Sequence, residues 1–313
     1  MAAIEILGLE KTYMVGFWRK RPKRALQPLH LTVEDGEIFG FLGPNGAGKT
    51  TTLKMLMGLV FPTAGTARIL GKEWTDPEVK AQIGFLPEQP YFYDYLTAHE
   101  LLEYYGQLSG VPARDRKSRV EEVLQRVGLT DIKGIQLRKF SKGMLQRAGI
   151  AQAILHNPKL VFLDEPMSGL DPLGRRDVRD LIQQLQQEGK TIFFSTHILS
   201  DAEALCDRVA IINKGELRGV GAVEELTKSV QGKVELVWAG TQVPASMKAL
   251  GAEFHVTGDT VRAVIAENQQ DTAIDALRRE HLRLISITPL RTSLESYFVE
   301  KLQHSQTTAG TSA

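Results

Sequence analysis

Nine consecutive residues, Gly43-Pro44-Asn45-Gly46-Ala47-Gly48-Lys49-Thr50-Thr51, carry the strongest chemical signal in this 313-residue sequence. Glycines in this spacing let successive backbone amides converge on one point, where they can surround phosphate oxygens at a helix start. Lys49 then reaches the terminal phosphates of a nucleotide, and Thr50 can place its hydroxyl on Mg²⁺. The helix dipole adds about half a positive charge at the loop. A second signal is Leu160-Val161-Phe162-Leu163-Asp164-Glu165, an apolar run ending in two carboxylates. Asp164 can serve Mg²⁺, while Glu165 can orient or deprotonate an attacking water, a role worth about 10² to 10⁴ in rate. Alone, such a run is usually structural. Beside a phosphate loop it reads as chemistry.

These groups need a scaffold, and the hydrophobic pattern supplies one. Leu29 to Val33 and Ile38 to Leu42 read as strands joined by a polar turn, and the second runs directly into the glycine loop. From Lys49 to Leu59, Leu53, Leu56 and Met57 recur at helical spacing, giving strand, phosphate loop and helix in series. Between Leu96 and His156 the pattern becomes helical: Thr97-Ala98-His99-Glu100 is a capping box, with Leu101, Tyr104 and Leu108 continuing an apolar face. A second helix is predicted over Ala113 to Val127, with Val120, Val123, Leu124 and Val127 on its stripe. Strand signals return at Leu160–Leu163, Thr191–Ser195 and Val209–Ile212, with a helix over Leu173–Glu188, which implies a mainly parallel sheet. The carboxylate pair then lies at the sheet's C-terminal edge, where such folds bind ligands. Beyond Thr227, strands at 233–238, 253–257, 260–266 and 284–288 alternate with helices near 246–250 and 271–281, a small separate α+β domain. Residues 303–313 are polar and small and are expected to be disordered.

Composition excludes more than it identifies. Apolar and charged fractions of 42% and 24% with a net charge of +1 give no strong field toward nucleic acid or membrane. Apolar runs fall short of the roughly 18 residues a spanning helix needs, and neither a span nor a secretion signal is expected. The single cysteine, Cys206, fits a reducing compartment. Phe17-Trp18-Arg19-Lys20-Arg21-Pro22-Lys23-Arg24 follows the first strand as a basic cluster broken by one proline. It is read as a solvated loop in a charged hairpin, with contact to lipid headgroups or an acidic partner as the alternative.

In motif order, residues 4–228 resemble the nucleotide-binding subunits of ATP-binding cassette (ABC) transporters. The resemblance implies an α/β fold: a P-loop NTPase sheet core with an antiparallel β subdomain and a helical insertion over about 96–156. Gln89, in Leu86-Pro87-Glu88-Gln89, looks like the Q-loop glutamine that senses the metal and γ-phosphate. Phe140-Ser141-Lys142-Gly143-Met144-Leu145-Gln146-Arg147 sits where the family carries its signature, with Ser141 and Gly143 matching and Lys142 and Met144 departing. Ser141 is also a good helix N-cap in its own right, so this helix start offers amides to a phosphate. Ser168-Gly169-Leu170-Asp171 resembles the D-loop at the dimer interface, and His197 resembles the H-loop histidine that bonds the γ-phosphate. Tyr13 is the candidate for stacking on adenine, with Phe17 or Trp18 as replacements. Residues 229–302 look like the accessory domain of ATPase subunits of ABC-2 type exporters, and Leu294-Glu295-Ser296-Tyr297-Phe298 like the closing helix of such subunits.

What the resemblance implies is a Mg²⁺-dependent ATPase working as a head-to-tail homodimer, or as a heterodimer with a related subunit. Each ATP would be held between the phosphate loop of one subunit and the Ser141-Lys142-Gly143 segment of the other. A separate membrane permease would turn the motion into transport, in the export direction, with the ATPase peripheral on the cytoplasmic face. No nucleic-acid partner is expected. The competing reading, a soluble ABC protein acting on ribosomes or DNA, would use the basic loop as its contact, but such relatives carry two cassettes or a long coiled-coil insertion.

Overall fold

The computed structural model describes residues 1–132, 134–227, 232–248, 250, 253–289, 293–295 and 297–298. They fall into two compact units, Met1–Val223 and Glu224–Glu300. The chain has a mixed α/β fold.

The first unit opens with β1 (Ala2–Val15), β2 (Arg21–Glu34), β3 (Ile38–Leu42) and α1 (Lys49–Leu56), then β4 (Ala64–Ile69), β5 (Lys72–Glu73), α2 (Pro77–Lys80) and β6 (Ile83–Leu86). Three longer helices follow, α3 (Ala98–Leu108), α4 (Ala113–Arg126) and α5 (Lys142–Ile154). Alternation then sets in: β7 (Leu160–Asp164), α6 (Pro172–Gln187), β8 (Thr191–Thr196), α7 (Leu199–Leu205), β9 (Arg208–Asn213) and β10 (Glu216–Ala222).

Two sheets result. The larger runs β10-β9-β3-β8-β7-β6, parallel from β9 to β6, with β10 antiparallel at one edge. Every residue of β3, β7 and β8 is buried, as expected for strands covered on both faces. The smaller sheet, β2-β1-β4-β5, is antiparallel throughout, the expected β subdomain. One consequence of the parallel register decides the site: the loops after β3, β7 and β8 all open at the same sheet edge, and Asp164 lies level with Ser195.

Three sequence expectations need correction. The basic segment is only partly a loop: β1 continues to Val15 and β2 starts at Arg21, pairing Tyr13 with Lys23 and Met14 with Pro22, so the bend is confined to residues 16–20. Pro22 is tolerated because β2 is an edge strand and needs no second ladder there. The helix after the phosphate loop stops at Leu56, not Leu59. Gly58, at a φ of 72°, ends it while the Leu59 amide donates to the Lys54 carbonyl at 2.8 Å. On α3, Leu101 and Leu102 are buried but Tyr104 and Leu108 are exposed. The buried stripe runs instead through Ala98, Leu101, Leu102 and Gly106, and the Arg116 side chain of α4 crosses Gly106 so closely that a Cβ there would lie 3.0 Å from its Cγ. The capping box itself forms, with Thr97 and Glu100 each bonding the other's backbone amide.

At the boundary lies α8 (Val223–Leu226). The second unit holds β11 (Lys233–Ala239), α9 (Ala245–Lys248), β12 (Glu253–Thr257), β13 (Thr260–Ala266), α10 (Gln270–Arg279) and β14 (Leu284–Pro289). Its sheet, β12-β13-β11-β14, is antiparallel, and Trp238, Leu236, Val261, Ile265 and Leu277 form its core. The Trp238 indole N–H donates to the Gln242 carbonyl at 3.0 Å, so the largest buried ring is also pinned in orientation. In the closing segment Leu294 is buried and Phe298 half-buried. The expected tail at 303–313 lies outside the described residues.

Candidate active site

The phosphate loop leaves β3 between two backbones that approach too closely for side chains. A Cβ on Gly43 would lie 2.3 Å from the Ile212 carbonyl oxygen. Gly48 stands at a φ of 111°, where a Cβ would lie 2.7 Å from the Ala25 carbonyl. The Gly43 amide donates to the Thr196 carbonyl at 3.3 Å, which ties the loop to the end of β8 just before His197. Gly48 precedes α1 without any side-chain cap, so the first amides of that helix are left for a ligand.

The loop walls a cleft of about 540 Å³ that also takes in Tyr13, Glu88 and Glu165. Within it Lys49 is only 5% exposed. Its ammonium donates to the Gly43 carbonyl at 2.7 Å and to the Pro44 carbonyl at 3.4 Å, and lies 3.2 Å from Glu165 Oε1. The other carboxylate oxygen of Glu165, Oε2, is 2.9 Å from Nδ1 of His197. An ionised Glu165 requires the proton on Nδ1, which leaves Nε2 an acceptor in the neutral ring and a donor in the imidazolium. Glu165 holds a φ of 52°, a left-handed conformation costing a non-glycine residue about 1 kcal/mol. Its amide donates to the Ser195 carbonyl at 3.1 Å and its carbonyl accepts from Gln146 Nε2 at 3.5 Å, which fix the strained turn.

Asp164 is buried one residue earlier. Its carboxylate accepts from the Ser195 and Thr50 hydroxyls, but burial outweighs these bonds and pushes its pKa up from the usual aspartate value. A desolvated carboxylate beside a threonine hydroxyl at a phosphate loop is the hard-oxygen donor set that suits Mg²⁺.

The other expected residues are divided. Tyr13 is on the cleft wall, its ring 5.1 Å from the Lys11 ammonium, whereas Phe17 and Trp18 are not among the lining residues. Gln89 is exposed, with Oε1 3.4 Å from the Tyr91 hydroxyl, and its neighbour Glu88 lines the cleft instead. Ser141, Gly143 and Asp171 share a second, smaller cleft of about 180 Å³ that has no lining residue in common with the first. There Ser141 caps α5 by accepting from the Met144 amide at 3.3 Å, and Asp171 caps α6 by accepting from Gly174 at 2.8 Å. Lys142, a departure from the signature pattern, lies across Gly169, where a Cβ would stand 2.2 Å from its Nζ.

Five contributors escaped the sequence reading: Ser195, Gln146, and the cleft-lining Glu88, Lys23 and Arg24. A buried serine closing an apolar run on the strand next to Asp164 was the available signal for the first.

A family model described as ABC transporter matches residues 26–168. An ABC transporter ATP-binding protein of Synechocystis is 45% identical over 96% of this chain and 84% of its own length. The bacitracin transport ATP-binding protein BcrA of Bacillus licheniformis is 38% identical over 89% of this chain and 92% of its own. Among solved structures, a dimeric ATP-binding cassette in a post-hydrolysis state, bound to ADP and Pi, superposes with a TM-score of 0.65. It is 26% identical, covering 70% of this chain and 98% of that one.

Proposed function

The chain belongs to the ABC transporter family of ATP-binding proteins, and from that premise we propose that it is the Mg²⁺-dependent, ATP-hydrolysing subunit of an ABC-2 type exporter. One observation carries the catalytic reading: the Glu165 carboxylate lies 3.2 Å from the Lys49 ammonium and 2.9 Å from the His197 ring, beside the phosphate loop. Without nucleotide, Lys49 rests on protein oxygens. Phosphates carry more charge than those partners and draw the ammonium to themselves. Glu165 is then left with His197 and can accept a proton from a water aimed at the γ-phosphorus. The water oxygen bonds to phosphorus as the bond to the bridging oxygen of ADP breaks, and the loop amides and Lys49 hold the departing charge. Thr50 and Asp164 are the residues that would hold Mg²⁺, which when bound would neutralise charge at the phosphates. Tyr13 stacks on adenine, and Gln89 reports the metal and γ-phosphate to the helices that follow it.

Ser141, Gly143 and Asp171 complete this site from a second subunit, the same chain or a related one. That assignment is supported by their separation from the phosphate-loop cleft and by the dimeric cassette to which the chain is similar. Loss of the γ-phosphate removes what joins the two subunits, so the pair relaxes.

Among the described residues no helix is long and apolar enough to cross a membrane. A separate permease is therefore the transducer, and the chain works at the inner face of the cell membrane through it. The exposed tyrosines after Gln89 are the surface we assign to that partner, with Tyr93 and Tyr104 packed edge to face at 6.1 Å. Export rests on the resemblance of the C-terminal unit to ABC-2 accessory domains. Steady-state phosphate release tests the core of the proposal. Wild type should turn over only with Mg²⁺, and Glu165→Gln should lower the rate by about 10² to 10⁴. An unchanged rate in that variant removes Glu165 from catalysis.

A further inference from the structure

Of residues 14–21 at the end of the β1–β2 hairpin, Val15 alone lines the nucleotide cleft, and none lines the other. Phe17 and Trp18 are 92% and 91% exposed and pack edge to face on each other at 5.7 Å. Met14 and Val15, 59% and 44% exposed, prolong this apolar surface down β1. Across the ladder Val15 faces Arg21, and Arg19 and Lys20 complete the bend. From residue 15 to residue 24 there is no acidic side chain. Arg24 is engaged elsewhere, bonded to Glu10 at 2.9 Å, and Lys23 lines the nucleotide cleft, which leaves Arg19, Lys20 and Arg21 as the cations of the tip.

Two large aromatic rings side by side in water are an unusual surface for a soluble protein, and they mark a contact. Their surroundings say with what. Trp and Phe beside aliphatic Met14 and Val15 form a wedge suited to the headgroup and acyl boundary of a bilayer, and flanking cations suit anionic headgroups. Nucleic acid would use aromatic faces and arginines but has no use for exposed aliphatic side chains. We infer that the hairpin end, residues 14–21, is a docking surface for an anionic lipid bilayer. It gives the subunit its own hold on the membrane, in addition to any permease.

The chain carries its own probe. Of its three tryptophans, Trp74 and Trp238 are buried and Trp18 alone is exposed, so a change of emission on adding vesicles reports Trp18. The full chain, without any permease, is mixed with vesicles of phosphatidylcholine or with vesicles in which about a third of the lipid is phosphatidylglycerol. The expected result is a blue shift and co-flotation with the anionic vesicles only, weakened by salt. Arg19→Gln with Lys20→Gln should weaken flotation by roughly 25-fold, about five-fold for each cation. Phe17→Ser with Trp18→Ser should abolish it. Both variants should keep wild-type ATP affinity, since none of the four residues lines the cleft. Three outcomes overturn the inference: no flotation of the wild type, which would turn the tip toward an acidic protein partner; equal flotation with neutral vesicles; or unchanged flotation in both variants. Binding to single-stranded RNA at concentrations where vesicles capture nothing would overturn it in favour of nucleic acid.

Discussion

Two helix starts in this molecule face the same electrostatic problem and solve it differently. α1 begins after Gly48 at a φ of 111° with no side-chain cap, while α5 begins after Ser141, whose hydroxyl accepts from the Met144 amide. The neighbouring helices show what is missing from both. α3, α4 and α6 each carry a carboxylate at the cap or in the first turn, and α1 and α5 carry none. An uncompensated helix start is a site for an anion, by dipole and free amides together. α1 adds Lys49, Thr50 and a walled cleft, so it can hold nucleotide phosphates within one chain. α5 adds Ser141, Gly143 and Arg147 at a smaller cleft of about 180 Å³. On the proposed function, the difference makes one start a binding site and the other a complement, of use when a phosphate is brought to it by another subunit.

The largest effect that would break this contrast is at Lys49. Lys49→Ala should weaken ATP binding by about ten- to a hundred-fold, the worth of a hydrogen bond to a charged group. Calorimetric titration of the isolated chain checks it, and retained affinity would deny the first start its role. Ser141→Ala should cost about 1 kcal/mol of stability as a lost cap. In the same variant ATP affinity of the single subunit should stay within about two-fold, while ATP-driven association weakens about ten-fold. Sedimentation at several concentrations separates the two readings. The smallest effect is at Asp164. Because burial raises its folded pKa, the native state holds the proton more tightly than the unfolded chain does. Nucleotide-free stability therefore falls as pH rises from the ordinary aspartate range through the raised value. Asp164→Asn should gain about 1 kcal/mol near neutrality and little in acid, and should lose the stabilisation that Mg·ATP gives the wild type. Thermal melts at two pH values, with and without Mg·ATP, measure both signs.

The sequence made the first helix start legible because everything needed is local: an apolar strand, a glycine spacing and an amphipathic turn within about one element's length. Asp164 and Glu165 were legible as a strand terminus. Ser195, which bonds the Asp164 carboxylate, and Gln146, which bonds the Glu165 backbone carbonyl, were not, since they approach only through a parallel register and a helix packed from outside. The charged hairpin is present as read, with a shorter loop: cross-strand pairing of Tyr13 with Lys23 and Val15 with Arg21 carries the ladder into the basic segment. The role assigned to the second helix start came from family resemblance alone, because half of a site between two subunits has no local signature beyond a good N-cap. The α+β pattern of the C-terminal unit was visible in its alternation, with Trp238 at the centre of its core.

The central claim is that the two helix starts are halves of one phosphate site, and the mass of the Glu165→Gln variant in solution tests it most directly. With Mg·ATP, which it should bind and not hydrolyse, the variant should double its mass from the 34.7 kDa of one chain. Adding Ser141→Ala should shift it back toward the monomer. A Glu165→Gln chain that stays monomeric at saturating Mg·ATP, or a dimer indifferent to Ser141, would contradict the account.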